Sequence, residues 1–394
     1  MKVAVVAEFY PRAADPVLGV WAHRQALAAR DAGAEVRVLV LHRLVPPRAA
    51  LHAGPGALVS AARALAAQPR RATLDDLEVR YVPFVSPPRS RTYAAWGRWA
   101  APSLGAALRV LRRDFPYDLV HAHNAVPAAD AVLRTTAGCA VPLVVSVHGG
   151  DVFHTAPRSV AGERAVCHAL TRARLVLANS AGTAAHAQAL GARERRVVRL
   201  GTDLPRTGGD PFDATTIVTV AHLDPRKRHT DVLRALWLLR DRHPRVRYLV
   251  IGGGPQRGAL EALARELGLA DRLELAGQLP HAQALALARR AHVFVMPSVD
   301  EAFGVAYVEA MAGGLPAIGA RGEPGPQEIA ALGEGMSLVA PGDVEALAQC
   351  LDALLSDVHH RQEAGRRARE TVERHFTWAA CGTATVAAYG EAMG

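Results

Sequence analysis

Two glutamates eight residues apart lie in the segment PSVDEAFGVAYVEAMAGGLP, which covers residues 297–316. An apolar run predicts a strand directly before this segment, a turn that carries Glu301, and a helix that begins near Phe303. The free amides at such a helix start form an anion site, and Gly304 would let a phosphate approach the backbone closely. Glu309 would lie in the second helical turn, where it could accept hydrogen bonds from two neighbouring hydroxyls. By spacing alone, an ordinary strand–turn–helix unit with two solvated glutamates is the stronger interpretation.

A basic loop with the sequence VAHLDPRKRH covers residues 220–229 and follows a predicted strand. Lys227 in this loop is one of only two lysines among the 46 basic residues of the chain. A flexible ammonium suits a diphosphate whose negative charge grows as its substituent departs. The competing interpretation is a solvated basic loop without a ligand.

Three turns that contain glycine are further candidates. His148 ends a predicted strand in the segment VSVHGGD, where two glycines allow close backbone approach, and a purely structural histidine is the alternative. Gly19 opens the first predicted crossover helix. Gly252 ends a predicted strand in the segment GGGP, which invites a dinucleotide-binding interpretation, but Pro255 and Gly258 break the GxGxxG spacing.

Short β-branched runs alternate with longer Ala, Leu and Arg stretches of helical period along the whole chain. This alternation is typical of parallel α/β sheets with covering helices. Residues 201–213 hold three Gly, two Pro and three Asp without periodicity, which favours a hinge between two doubly wound domains, with a site in the cleft between them. The predicted strands are 3–7, 35–41, 79–83, 119–122, 142–148, 175–178 and 197–200, and then 216–220, 247–251, 273–276, 293–296, 315–319 and 337–339.

The composition excludes several classes of protein. Half of the 394 residues are hydrophobic and 21% are charged, which argues against a disordered chain. The apolar runs are far shorter than the ~20 residues that span a bilayer. Glu8 interrupts the apolar N-terminus, so we expect no signal peptide and a cytoplasmic protein, either free or peripheral at the inner face of the membrane. The four cysteines are far apart, which predicts reduced core residues rather than a disulfide framework or a zinc site.

The charge is distributed unevenly. Residues 1–200 carry a net charge of +13 and residues 201–394 one of −4. A basic half is typical of proteins that bind nucleic acid, an anionic membrane or an acidic substrate, and solvated arginines are the equally weighted alternative. The segment RSRTYAAWGRW, residues 89–99, interleaves arginines with aromatic residues as a membrane-docking segment would. Core packing of Trp96 and Trp99 is the alternative there.

The motif of residues 297–316, with PS before the first glutamate, FG after it and EAMAxGxP at its end, resembles glycosyltransferase family 4, whose members have the GT-B fold. The resemblance covers nearly the whole chain. It implies that Glu301 contacts the donor sugar and that Glu309 holds the ribose of the nucleotide. The amides around Phe303, Gly304 and Val305 are similar to those that meet the diphosphate.

The remaining motifs also match positions of the family. The resemblance implies that Lys227 binds the diphosphate and that His148 faces the donor sugar. Gly19 would meet the diphosphate from the N-terminal side, and Gly252 would line the donor cleft. The family's phosphate-binding arginine is absent, because His222 occupies its position. A neighbouring arginine or a protonated His222 would have to replace it.

The fold that the resemblance implies is α/β: GT-B, with two Rossmann-like doubly wound domains that face a central cleft. The N-terminal acceptor-binding domain would cover residues 1–203, the hinge 204–213, and the C-terminal nucleotide-sugar-binding domain 214–375. A C-terminal crossover helix, 376–394, would return to the N-terminal domain.

We therefore expect a retaining, hexosyltransferase-type enzyme that moves a sugar from a UDP-sugar or GDP-mannose to a glycan, lipid-linked or small-molecule acceptor. The chain resembles bacterial members that build cell-surface polysaccharide of the teichuronic-acid type. No DxD triplet occurs, so we expect no metal and no cofactor besides the nucleotide-sugar donor. An anionic membrane surface is a further expected partner, whereas nucleic acid is not. The alternatives are a GT-B epimerase or phosphorylase, and a non-catalytic sugar-nucleotide-binding subunit, which the histidine at position 222 suggests.

Overall fold

The computed structural model describes residues 1–46, 50, 52–205 and 210–394, with the backbone alone for residues 90 and 91. The chain forms two compact units. The first comprises Met1–Arg199 together with Trp378–Gly394, and the second comprises Leu200–Thr377. The hinge expected at residues 204–213 lies partly outside the described residues, because 206–209 are not among them.

Within the described residues, the sheet of the first unit has eight strands: Lys2–Ala7 (β1), Glu35–Arg43 (β2), Arg71–Leu74 (β3), Leu77–Phe84 (β4), Leu119–His123 (β5), Leu143–Val147 (β6), Leu175–Ala178 (β7) and Arg195–Val197 (β8). Their order is β3-β4-β2-β1-β5-β6-β7-β8, and every pair of neighbours is parallel except β3 and β4. The sequence analysis does not predict β3. This short edge strand depends on a two-residue turn at Asp75 and Asp76, whose φ angles of 45° and 63° suit a tight hairpin.

Helices cover both faces of this sheet, so its apolar strand residues are buried on both sides. In β1, every residue after Lys2 is buried. The α-helices of the first unit are Val20–Asp31, Pro55–Ala67, Arg89–Thr92, Trp96–Asp114, Asp130–Leu133, Ala156–Arg158, Val160–Arg172, Ala181–Ala189 and Trp378–Met393.

The C-terminal helix Trp378–Met393 belongs to the first unit and packs against the helix Val20–Asp31. A buried hydrogen bond of 3.2 Å from the Gln25 amide to the Thr385 hydroxyl joins the two helices. The predicted return of the C-terminal helix to the N-terminal domain is therefore confirmed.

In the second unit, whose residues 206–209 are not described, the sheet that the structure shows has six strands: Thr216–Val220 (β9), Arg247–Ile251 (β10), Leu273–Gly277 (β11), Val293–Met296 (β12), Ala317–Ala320 (β13) and Met336–Val339 (β14). All neighbours are parallel, in the order β11-β10-β9-β12-β13-β14. The α-helices of this unit are His229–Leu238, Arg257–Glu266, His281–Ala288, Val305–Ala312, Pro324–Leu332, Val344–Ser356 and Val358–His375. The predicted architecture of two doubly wound α/β domains is thus confirmed.

The strand order reverses once in each sheet, between β1 and β5 in the first unit and between β9 and β12 in the second. Ligands of doubly wound sheets bind beyond the carboxyl ends of the strands at this reversal. The fold therefore offers one binding region in each unit, and the candidate residues of the sequence can be compared with these two places.

Several local predictions are wrong. The strands expected at 197–200 and 315–319 lie instead at Arg195–Val197 and Ala317–Ala320. Val198 still donates a backbone hydrogen bond of 2.8 Å to Ala178 of β7, and Leu200 is buried beyond the end of the strand. The C-terminal helix expected at 376–394 begins two residues later, at Trp378, since the chain leaves the helical conformation at Phe376, whose φ is −131°. Of the four cysteines, all free, only Cys381 is buried, so the expectation of four core cysteines is wrong for the other three.

The aromatic segment predicted for membrane docking is divided between core and surface. Trp96 is buried and packs edge-on against Phe84 and Tyr93, whereas Trp99 is 51% exposed. The core-packing alternative therefore holds for Trp96. In the described part of the chain, no helix combines the length and apolarity that crossing a membrane requires.

Candidate functional site

Lys227 of the basic loop and Glu301 of the two-glutamate segment are 74 residues apart in sequence and meet at the carboxyl ends of β9 and β12. Lys227 lies in the turn after β9, and Glu301 lies in the turn after β12. The backbone ties the two turns together, because the Val299 amide donates a hydrogen bond of 2.9 Å to the Arg226 carbonyl. The reversal of strand order in the second sheet thus places the basic loop beside the first glutamate.

Lys227 and Glu301 form a buried ion pair. Lys227 Nζ lies 2.5 Å from Glu301 Oε2, and the two side chains are only 9% and 11% exposed. Ser298 Oγ donates to the same oxygen over 2.9 Å, and Arg226 Nη1 lies 3.9 Å from it. The described contacts of the carboxylate therefore all reach Oε2. The ammonium has three N–H donors, and its described partners are this oxygen and the Met296 sulfur at 3.7 Å.

The charge of Glu301 is set by two opposing effects. Burial raises the pKa of its carboxyl, but the ion pair and hydrogen bond with Lys227, together with Arg226 and Ser298, lower the pKa to below its ordinary value. Glu301 is therefore ionised at neutral pH. Its backbone is also held, because its amide donates a hydrogen bond of 2.9 Å to Glu323 Oε2. Burial raises the pKa of Glu323.

The helix that follows Glu301 begins at Val305, directly after a glycine cap. Gly304 caps the helix Val305–Ala312 with φ 78°, and a Cβ at this position would lie 2.5 Å from the Tyr307 ring. Only glycine fits there. The predicted helix exists, but it begins two residues later than Phe303. The Phe303 side chain is buried against Phe376, with ring centroids 5.8 Å apart, and its backbone packs against Gly325.

Glu309 lies in the second turn of the helix Val305–Ala312, as predicted. Its Oε1 is 2.7 Å from Nε2 of His281, whose ring is about half-exposed. The sequence analysis missed His281, which begins the helix after β11. The sequence did place His281 shortly after a predicted strand, at 273–276. Because the carboxyl ends of parallel strands meet at one edge of a sheet, that position could have identified it as a site residue.

His222 and Gly252 follow β9 and β10, which are neighbours in the second sheet. His222 is exposed, and its Nδ1 lies 3.4 Å from the Gly253 carbonyl oxygen. The Gly252 amide donates a hydrogen bond of 2.9 Å to the Gly277 carbonyl. Both predicted residues therefore lie at the same edge of the second sheet as Lys227.

The first unit holds the two other predicted residues. Gly19 caps the helix Val20–Asp31 in the left-handed conformation with φ 64°, and a Cβ there would overlap with the backbone of Phe9. The next residue but one, Trp21, packs its ring against that of His148, with centroids 6.2 Å apart. Gly19 and His148 are thus neighbours through Trp21.

His148 is the outer end of a buried chain of polar side chains. Its Nε2 lies 2.9 Å from Nδ1 of His123, and the two rings are parallel, with centroids 5.2 Å apart, so they meet edge to edge. The ring of His121 follows at a centroid distance of 4.4 Å, and its nitrogens lie 2.7 Å from Tyr389 Oη and from Ser146 Oγ. Burial lowers the pKa of His148 to about 4 and that of His121 to about 3. Both are therefore neutral imidazoles at neutral pH.

Asp151, the last residue of the HGGD segment, organises the loop after β5. Its carboxylate accepts hydrogen bonds from the amides of Ala125 and Val126 at 3.0 and 3.2 Å, and from the Asn124 side chain. Burial raises the pKa of Asp151 to about 6, although these hydrogen bonds act in the opposite direction. The sequence analysis missed His123 and Asn124, which end and follow β5.

Two family descriptions match consecutive parts of the chain. Residues 18–206 match Glycosyltransferase Family 4, and residues 205–371 match Glycosyl transferases group 1. Glycogen synthase of Mycobacterium tuberculosis is 30% identical over 70% of this chain and 69% of its own length. TuaC of Bacillus subtilis, whose name assigns it to teichuronic acid biosynthesis, is 25% identical over 95% of each chain. The exopolysaccharide phosphotransferase of Streptomyces coelicolor is 36% identical, but this chain covers only 16% of its length.

Solved structures share the fold over nearly the whole chain. Sucrose-phosphate synthase from Thermosynechococcus elongatus has a TM-score of 0.75 at 20% identity, covering 99% of this chain and 98% of that one. HepE of Anabaena, in complex with UDP and glucose, has a TM-score of 0.72 at 19% identity and 99% coverage of each chain.

The fold, the motif at the edge of the second sheet and these matches define a glycosyltransferase of the GT-B fold. The chain belongs to glycosyltransferase family 4.

Proposed function

We propose that this chain transfers a sugar from a nucleoside diphosphate sugar to an acceptor hydroxyl, with retention of configuration at the anomeric carbon and without a metal ion. The observation that carries the proposal is the buried Lys227–Glu301 pair beside the helix start at Gly304. The donor is a UDP-sugar or GDP-mannose, and the complex of HepE with UDP and glucose supports the first of these.

The diphosphate would bind at the start of the helix Val305–Ala312, where backbone amides and the helix dipole favour negative charge. Lys227 keeps N–H donors beyond the one that Glu301 accepts, so its ammonium can contact a phosphate while the ion pair persists. Negative charge grows on the diphosphate as the sugar departs, and a fixed ammonium stabilises that charge. His222, exposed at the same edge, is the proposed third phosphate contact.

The carboxylates would position the donor. Oε2 of Glu301 is occupied by Lys227 and Ser298, which leaves Oε1 to accept a hydrogen bond from a sugar hydroxyl. Glu309 would hold the ribose, with His281 orienting its carboxylate over 2.7 Å. In the first unit, His148 would offer a neutral imidazole to a sugar hydroxyl.

In the proposed step, the acceptor oxygen forms a bond to the anomeric carbon while the bond from that carbon to the phosphate oxygen breaks. The acceptor proton passes to the departing phosphate on the same face of the sugar. Configuration is thereby retained, and no side chain has to form a covalent bond to the sugar.

Incubation with a panel of UDP-sugars and GDP-mannose, with and without EDTA, tests the proposal. Glu309→Ala should lower turnover at least ~100-fold, as loss of one strong charge-positioning group does, and EDTA should have no effect. Glu274→Ala, which removes an exposed glutamate of β11, is the matched control and should retain turnover. Loss of activity with EDTA and its recovery with Mg²⁺ would contradict the metal-independent proposal.

The same assay decides between this proposal and a binding subunit, which the exposed histidine at the position of the family's arginine favours. A transferase slowly hydrolyses its donor to free nucleotide even without an acceptor. Tight donor binding without any turnover would instead indicate a sugar-nucleotide-binding subunit, and an epimerised or phosphorolysed product would indicate the other enzyme classes.

A further inference from the structure

The first unit contains a cavity of about 960 Å³ that none of the donor residues of the second unit lines. Its walls include the carboxyl ends of β1 and β2, the segment around Arg89 and Tyr93, and Gly150 and Asp151 of the HGGD segment. This volume is at the upper end of the range for small-molecule sites. The cavity is therefore large enough for a substrate beside the predicted sugar-contacting segment.

The described charges of this cavity do not balance. Glu8 is buried at the end of β1 and faces three guanidinium groups, those of Arg12, Arg43 and Arg89. Arg89 Nη1 lies 3.7 Å from Glu8 Oε1, and Tyr93 Oη donates to Oε2 over 2.6 Å. One carboxylate opposed to three guanidinium groups leaves an excess of two positive charges.

The other lining carboxylate does not remove this excess. The carboxylate of Asp151 accepts hydrogen bonds from the amides of Ala125 and Val126, and its charge is offset by one further lining guanidinium group, that of Arg158. On the basic side, Arg158 and His154 also line the cavity. The described lining residues thus hold more cations than ionised carboxylates.

The guanidinium groups are held in place and incompletely compensated. Burial lowers the pKa of Arg43, the Glu8 carboxylate acts in the opposite direction, and the nearby Arg89 lowers the pKa again. Arg43 donates hydrogen bonds to Ser86 and to backbone carbonyls and lies 4.9 Å above the Trp96 ring. These contacts fix the cations without neutralising them, which is the arrangement that an anionic ligand completes.

Of the three guanidinium groups around Glu8, that of Arg89 is the most exposed to a ligand. Its side chain is half-exposed and stacks on the Tyr93 ring, 4.1 Å from the centroid. Among the described residues it has no hydrogen-bond acceptor within 3.5 Å, since its ion pair with Glu8 is longer. A stacked guanidinium keeps its planar set of N–H donors free for bidentate binding of phosphate or carboxylate.

We propose that this cavity binds a phosphate group of the acceptor, with Arg89 as its principal contact and Phe9, Trp96 and Leu65 as the apolar wall for the adjoining sugar or chain. The proposal rests on the proposed transferase function and names its substrate class. A phosphate carries up to two negative charges and three acceptor oxygens, which matches the excess of two positive charges. A carboxylate, with a single charge, would leave part of the excess uncompensated.

Binding to the full chain by isothermal titration tests the proposal, with UDP present at saturation so that phosphate probes cannot occupy the donor site. The probes are glucose 1-phosphate and decyl phosphate, with glucose and glucuronate as the neutral and carboxylate controls. Arg89→Gln should weaken binding of the phosphate probe by about 10-fold to 100-fold, as loss of a charged hydrogen bond does. Arg113→Gln, an equal charge change at an exposed helix end of the same unit, should leave that binding unchanged.

Each outcome is decisive. Tighter binding of decyl phosphate than of glucose 1-phosphate indicates a lipid-linked acceptor, and the reverse order indicates a soluble sugar phosphate; both support the proposal. Absence of phosphate binding, or equal losses in Arg89→Gln and Arg113→Gln, would overturn it. Glucuronate binding as tight as glucose 1-phosphate would overturn the choice of phosphate. Wild-type protein that binds UDP but no phosphate probe refutes this inference alone, whereas failure to bind any nucleotide refutes the proposed function.

Discussion

Lys227→Met should destabilise the second unit in a strongly pH-dependent manner. The substitution removes the ammonium 2.5 Å from Glu301 and leaves a carboxylate that is 11% exposed, with Arg226 at 3.9 Å as its nearest remaining cation. Removal of one partner of a buried ion pair costs about 3–5 kcal/mol. The unpaired Glu301 carboxylate can instead become protonated and neutral. The free energy of that protonation is therefore an upper limit on the loss of stability.

The limit follows from the ordinary glutamate pKa of 4.5. Protonation costs about 1.4 kcal/mol for each pH unit above that value, which gives about 4 kcal/mol at about pH 7.5 and about 1.4 kcal/mol at about pH 5.5. In the wild type, the lowered pKa of Glu301 stabilises the fold above pH 4.5, and this contribution is lost as the pH falls through the folded value. In the variant, burial raises the pKa of Glu301, so the penalty appears as the pH rises. The deficit of the variant should therefore shrink on acidification.

Urea unfolding of wild type and Lys227→Met at these two pH values measures the effect. The double variant Lys227→Met/Glu301→Gln removes both charges and should recover most of the stability at the higher pH, because a neutral pair carries no buried charge. A deficit that is the same at both pH values would refute the reasoning. So would a double variant no more stable than the single one, since the penalty would then not come from the unpaired carboxylate.

Two further expectations concern one residue in each unit. Gly304→Ala should lower the unfolding free energy by more than the ~1–2 kcal/mol of a left-handed alanine, and should weaken UDP binding. Gly322 has φ 83° and no atom within 4 Å of an added Cβ, so Gly322→Ala should lose only the stability that a left-handed backbone costs. If thermal denaturation shows the same loss of stability for Gly304→Ala as for Gly322→Ala, there is no clash at Gly304. Burial lowers the pKa of His148 to about 4. As the pH falls, this histidine is therefore protonated in the unfolded chain at a higher pH than in the folded chain. The free energy of unfolding then falls by up to about 1.4 kcal/mol per pH unit between about pH 6.5 and 4. His148→Gln should reduce that slope by one proton; identical slopes in the two proteins would show that His148 does not titrate with unfolding.

The sequence alone determined the architecture and the local motifs. The alternation of β-branched runs with helical stretches identifies parallel α/β sheets because both periodicities are visible within short windows. The place of Gly304 between a strand end and a helix is also local, since only glycine adopts the backbone conformation of that cap without a clash. Glu309 follows from the helical spacing once the helix start is known.

Tertiary structure decided which of these groups meet. The pairing of Lys227 with Glu301 and of His281 with Glu309 depends on strand order, which no periodicity reports. The same holds for the contact between the ring nitrogens of His123 and His148, whose strands are separate in sequence.

The charges of the first unit show most clearly why the sequence alone could not identify a binding site. The sequence revealed an excess of arginine in the first 200 residues but could not distinguish solvated side chains from a binding site. Arg12, Arg43 and Arg89 come from three separate segments, and only folding brings them around the buried Glu8. Local conformation is governed by neighbours in the chain, whereas electrostatic energy depends on distances through space and on burial, and those exist only once the sheets have formed.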